Sequence, residues 1–183
     1  MARYRDHVAL GLALGKRMGL SPGALLVLGQ HHEHLDDSGY PHGIGGQRIS
    51  VPARMVALVN RYDNLCHGSP RTLAMTPHEA LSLLFSQGQR QYDPALLGAF
   101  VRMMGVYPPG SVVQLTDDRW AVVESVNAAR PLKPKVIACD PRLSDDEPML
   151  LDLAQQTSIG IRRSVPAAQL TPALRAQLTP RPR

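Results

Sequence analysis

The chain has 183 residues, 44% of them hydrophobic and 4% aromatic, and a formal net charge of +5. That length suits one ordinary domain or a domain with an appendage. No apolar run approaches the roughly 20 residues that span a bilayer, and the aromatics are too few for a base-stacking platform, so neither a membrane segment nor nucleic-acid binding is expected. Cys66 and Cys139 lie far apart with no metal-type or redox-type spacing, which predicts reduced thiols and a cytoplasmic protein.

In chain order, residues 4–19 read as a helix with Gly19 near its end. Ser21-Pro22 then starts a second helix: a hydroxyl N-cap precedes proline at the first helical position. This helix is expected to carry Leu25, Leu26, Val27 and Leu28 into the core and to bring His31 and His32 to its last turns. Glycines and Pro41 between Asp37 and Ser50 require a loop. The third helix runs from about Val51 to Cys66, and Asn60 and Asp63 share a face away from its apolar positions Met55, Val56, Leu58, Val59, Tyr62 and Leu65.

Thr76-Pro77-His78-Glu79 is a capping box in which Glu79 reaches back to the cap, so it is assigned no catalysis, and His78 is expected to be exposed. Asp93-Pro94 opens another helix ending near Gly105. After Tyr107-Pro108-Pro109-Gly110 the style changes. Ser111 to Leu115 and Trp120 to Val126 are rich in strand formers around a turn at Asp117-Asp118. Lys135 to Ala138 is a third strand, and Thr171-Pro172 opens a short terminal helix. The expectation is a mainly α fold: a helical domain over residues 1–105, then a small antiparallel β appendage with a C-terminal helix over 106–183.

The densest chemistry lies in His31-His32-Glu33-His34-Leu35-Asp36-Asp37-Ser38-Gly39-Tyr40-Pro41. All seven histidines fall before residue 79, an asymmetry that favours a metal site over a solvated patch. Side chains adjacent on a helix diverge by about 100°, so His31 and His32 are not a simple chelating pair. They could instead serve two neighbouring ions, as in polynuclear phosphoesterase sites.

This segment resembles the HHExxDGxGYP signature of the HD-GYP phosphodiesterases, a branch of the HD superfamily: His31, His32, Glu33, Asp36, Gly39, Tyr40 and Pro41 all fall on it. Gly43, Gly46 and Ile49 follow at the usual places, and Arg61-Tyr62-Asp63-Asn64-Leu65 is similar to the helix that closes the metal site. Asp6-His7-Val8-Ala9-Leu10-Gly11 is similar to the helix bearing an upstream histidine ligand. The resemblance covers about residues 4–104, and the tail from Tyr107 is similar to an accessory region of one subgroup.

The resemblance implies an HD-like helical fold and hydrolysis of the bacterial second messenger cyclic di-GMP at a di- or trinuclear centre, with iron or manganese expected. Such a centre supplies hydroxide near neutral pH and offsets charge on phosphoryl oxygens. His7, His31, His32 and Asn60 are the implied metal-binding positions. Glu33, Asp36 and Asp63 are candidates for supporting them. Gly39, Tyr40, Pro41 and Arg71 form the loop and basic position facing substrate or partner.

Three departures stand against the pattern. Asp37 replaces the usual glycine, and Asn60 stands where the family places its last metal carboxylate, an amide being a weaker ligand for a hard dication. The His-Asp dyad that names the superfamily should lie upstream of His7 and is absent, so the helical domain is expected to be N-terminally incomplete and this chain alone inactive. No catalytic acid or base is therefore assigned. Two readings stay open: part of a cyclic di-GMP phosphodiesterase, or an inactive signalling module that docks a diguanylate cyclase or other partner through its Gly-Tyr-Pro loop. Apolar helix surface left uncovered predicts self-association, a homodimer being the simplest form.

Overall fold

The computed structural model describes residues 2–68, 72–139 and 148–178. Helices α1 (Ala2–Arg17), α2 (Pro22–Gln30), α3 (Val51–His67), α4 (Pro77–Gln87) and α5 (Pro94–Met104) come first. Strands β1 (Val112–Leu115), β2 (Trp120–Ser125), β3 (Lys135–Cys139), β4 (Met149–Asp152) and β5 (Ile161–Val165) follow, and α6 (Pro172–Leu178) ends the described chain. The expected fold class, a helical domain followed by a small antiparallel sheet, is the one observed. Backbone packing groups residues 1–64 with 83–99 in one compact unit and 65–82 with 100–183 in a second. Among the described residues no helix is long and apolar enough to cross a membrane.

In the first unit the local start signals work as chemistry. The Ser21 hydroxyl accepts from the Ala24 N–H at 3.3 Å, satisfying one of the free donors of α2. Asp93 caps α5, its Oδ1 accepting from Ala95 and Leu96. Its Oδ2 takes the guanidinium of Arg54 at 3.1 Å. Arg54 also donates to the carbonyls of Ile49 and Gly46, so one half-buried cation ties the glycine loop to the start of α5. Val8, Ile49, Ala53, Ala57, Leu58, Leu84, Tyr92 and Leu97 are buried here.

Two burial expectations are corrected. None of the α2 residues is fully buried, and Leu26 is 48% exposed. Four consecutive apolar residues span the circumference of a helix and cannot share one face. On α3 the small Ala53 and Ala57 go inward beside Leu58, while Met55, Val56 and Val59 remain exposed. Close packing selected the small side chains over the large ones.

The second unit holds a five-stranded antiparallel sheet in the order β4-β3-β2-β1-β5. Val112 faces Val122 and Val113 faces Ala121 across the β1–β2 pair, whose turn places Asp118 at φ 72°. Side chains alternate between faces as the strand period requires. Val113, Leu115, Ala121, Val123, Val136, Ala138, Leu151 and Leu153 fill one side. Val112, Cys139 and Val165 bury against Leu170, Leu174 and Leu178, so the α6 segment covers the other. The sequence pattern predicts three strands; β4 and β5 are additional. Ile161-Arg162-Arg163-Ser164-Val165 is too polar to declare itself, and its pairing partner β1 lies far away in sequence. The capping box forms as expected: Glu79 Oε2 accepts from the Thr76 N–H at 2.8 Å, and Thr76 Oγ1 accepts from the Glu79 N–H. His78, expected to be exposed, is half-buried: its ring stacks on Tyr107 and its Nδ1–H donates to the Val106 carbonyl at 2.7 Å.

Candidate metal centre

His7 lies on α1, one turn and a half from its start, whereas His31 is the C-cap of α2 and His32 follows it in the turn. The helix therefore ends just before the histidine pair. Freed from helical spacing, the His31 and His32 rings approach to 4.1 Å between centroids, so the divergence expected for a helical pair does not arise. The Nε2 atoms of His7 and His32 are 3.0 Å apart, and those of His7 and His31 are 3.4 Å apart. One ligand atom from each of the three residues lies within 4.8 Å of the others, an arrangement that could hold a metal ion.

The donor set fits a transition metal. His31 Nδ1–H donates to the Leu28 carbonyl at 2.9 Å, which fixes its tautomer and leaves the Nε2 lone pair facing the other two rings. Burial pushes the His32 pKa down to about 4, and the neighbouring charges of His31, His7 and His34 push in the same direction. His32 is thus a neutral imidazole near pH 7, the protonation state that ligates.

The carboxylates of the motif build the loop. Glu33 is buried, and its two oxygens accept from the His42 N–H at 2.8 Å and the Ile44 N–H at 3.1 Å. Asp36 accepts from the Ser38 hydroxyl at 2.5 Å and from the Ser38 N–H. That side-chain bond holds the Asp36 pKa below the usual carboxylate range, against a smaller opposing effect of burial. Because the Ser38 hydroxyl donates to Asp36, it accepts from the Nδ1–H of His34 at 3.0 Å.

Gly39 is required by close approach. A Cβ there would lie 2.4 Å from the Glu33 Cα and from the His34 N. Asp37 sits at φ 61°, which explains why glycine suits this place; Asp is among the few residues that tolerate it. Its carboxylate pairs with Arg48 at 2.7 Å on the exposed side of the loop. The Tyr40-Pro41 peptide is cis, and the Tyr40 ring stacks on His32 with centroids 4.5 Å apart and planes 19° apart.

The remaining candidates are placed as follows. Asn60 accepts a hydrogen bond from the Asn64 amide one turn along α3 at 3.0 Å. Asp63 is exposed on the same helix and engaged in an interaction of its own. Arg71 lies outside the described residues. One contact at the site was not anticipated from sequence: the Arg5 guanidinium lies 4.7 Å above the centre of the Tyr40 ring. Its place two residues ahead of His7 on α1 is the only signal that the sequence offers.

The chain matches the HD domain family over residues 1–96 and belongs to that family. The family assignment suggested by the residue pattern is borne out. Among similar proteins is a cyclic di-GMP phosphodiesterase of Pseudomonas aeruginosa, 34% identical over 106 residues, which are 58% of this chain and 25% of that protein. The cyclic di-GMP phosphodiesterase response regulator RpfG of Xanthomonas campestris is 41% identical over 80 residues, 44% of this chain and 21% of that protein. A 3'3'-cGAMP-specific phosphodiesterase of Vibrio cholerae is 32% identical over 107 residues, covering 58% of this chain and 22% of that protein. The chain thus spans about a quarter of the length of these curated relatives.

Proposed function

We propose that this chain carries the metal-binding part of an HD-GYP-type phosphodiesterase that hydrolyses cyclic di-GMP, and that His7, His31 and His32 hold the metal. The observation that carries the reading is the convergence of three imidazole nitrogens from two separate segments within 4.8 Å. A bound iron or manganese centre, di- or trinuclear, would supply hydroxide near neutral pH and offset phosphoryl charge. The residues of this chain do the rest. The Leu28 carbonyl orients His31, burial keeps His32 unprotonated, and Glu33 holds the loop from His42 to Ile44 in place. Tyr40 and Pro41 border the site where a cyclic dinucleotide would rest. The segment from residue 106 serves as an accessory region to the helical domain that ends at 105. Cytoplasmic location accords with an intracellular messenger as substrate.

A second reading, an inactive module that docks a diguanylate cyclase through the Gly-Tyr-Pro loop, is favoured by one observation. The Asn60 carbonyl oxygen, at the position where the resemblance implies a metal carboxylate, already accepts from the Asn64 amide. The exposed Leu10 and Leu14 on α1, with Met18 just past its end, support self-association under either reading.

The deciding measurement is metal content after anaerobic purification, beside the double variant His31→Ala/His32→Ala. About one or more iron or manganese per chain, lost in the variant, supports the phosphodiesterase reading. Absence of metal in both sinks it and leaves the docking module.

A further inference from the structure

We infer that Arg5 is a positioning residue for the metal centre, acting through the Tyr40 ring on the imidazole of His32. The inference rests on the reading of His7, His31 and His32 as metal ligands. Three contacts carry it. The Arg5 guanidinium stands over the Tyr40 ring at 4.7 Å. That ring lies nearly parallel to the His32 ring at 4.5 Å. The Tyr40 N–H donates to the His32 carbonyl at 3.0 Å, so main chain and side chain of Tyr40 bear on the same histidine. Gly39 presses the strand of loop just before Tyr40 against the backbone of residues 32–34, with no room for a side chain between them.

His32 sits one residue beyond the C-cap of α2, in the turn that the Tyr40 ring and N–H both contact. A flat aromatic face restrains the tilt of an imidazole without consuming either nitrogen. A guanidinium over that aromatic ring is attracted by its quadrupole and holds it in register. Among the described residues Arg5 has no carboxylate or carbonyl partner, so Tyr40 is its contact. Arg5 and His7 share the first turns of α1, so the same helix that delivers one ligand also braces the platform beneath another.

The sign of one substitution separates this role from a plain charge effect. A cation near a dication site repels the metal, so removing it for electrostatic reasons alone would tighten binding. Removing a brace must weaken binding. The test is titration of the metal-free chain with cobalt(II) alone, reading both affinity and the ligand-field absorption spectrum. Far-UV circular dichroism confirms the fold of each variant. Tyr40→Leu should weaken cobalt binding about tenfold and alter the spectrum, the scale seen when residues supporting a metal ligand are lost. Tyr40→Trp, which keeps a flat face, should restore most of it. Arg5→Met should weaken binding about threefold, the scale of an exposed cation–π contact. In the Tyr40→Leu background Arg5→Met should add nothing, because its effect passes through the ring. Tighter binding in Arg5→Met, or additive effects in the double variant, would overturn the inference. A wild-type chain that binds cobalt while Tyr40→Leu binds it equally well would overturn the inference but leave the metal site standing. A wild-type chain that binds no cobalt would remove both.

Discussion

The loop from His31 to Arg48 and the five-stranded sheet are stabilised by opposite means. The sheet has a two-sided apolar interior, with Val113, Leu115, Val136 and Leu153 at or near zero exposure. The loop has almost no apolar interior and is shaped by a buried carboxylate, a glycine without room for a Cβ, and the Asp37–Arg48 ion pair at its rim. Apolar burial is non-directional and tolerates small shifts, whereas hydrogen bonds fix atoms to a few tenths of an ångström. A centre that must aim imidazole nitrogens at one point calls for the second kind of construction, and the sheet is free to use the first.

Four substitutions would break or sharpen that contrast. The largest effect is expected in the sheet. Leu115→Ala should lower stability by about 2–5 kcal/mol through lost burial and a residual cavity. Urea unfolding followed by the fluorescence of Trp120, the only tryptophan, measures it. A loss under about 1 kcal/mol would mean the sheet interior is not close-packed.

In the loop, Glu33→Gln keeps size but sets an NH2 group against one of the two backbone donors at His42 and Ile44. Leaving that donor without an acceptor should cost about 1–3 kcal/mol. Amide hydrogen exchange should quicken at residues 42 and 44 first; uniform exchange across the unit would deny the carboxylate its local role.

Asp93→Ala removes the cap of α5 and one partner of Arg54, and should cost about 1–2 kcal/mol. The pH dependence has a definite sign. Burial alone would raise the Asp93 pKa, but the Leu96 N–H, Arg54 and the Ala95 N–H together hold it below the ordinary value. Its folded value is depressed, so its contribution is present above the ordinary carboxylate pKa and fades as pH falls through the lowered one. Thermal melts followed by far-UV circular dichroism should therefore separate wild type from Asp93→Ala at pH 7, and the gap should begin to narrow once the pH falls below about 4, the ordinary carboxylate value.

The smallest change belongs to Asp37→Gly. It relieves a left-handed backbone but loses an exposed ion pair with Arg48, and adds chain entropy to the unfolded state. These terms offset, and stability should stay within about 1 kcal/mol of wild type. A larger loss in the same melts would show that the Asp37 carboxylate shapes the loop beyond its ion pair.

Much of this molecule is legible in its sequence. Ser21-Pro22, Thr76-Pro77 with Glu79, and Asp93-Pro94 marked helix starts because a cap acts within three residues. The β1–β2 hairpin and the loop at Gly39 to Pro41 were readable for the same local reason, and the residue pattern from His31 to Pro41 led to the HD family. Only the tertiary structure decided what depends on distant neighbours. It ended α2 one residue before His31, drew His7 from another helix onto the pair, and turned Glu33 onto the loop backbone. It sent Ala53 and Ala57 inward while leaving Met55 and Val59 outside, and it recruited the polar β5 as a partner of β1. Capping and turns are written in neighbouring residues. Which of several apolar faces is buried, and which histidine meets which, follows from packing that no local pattern encodes.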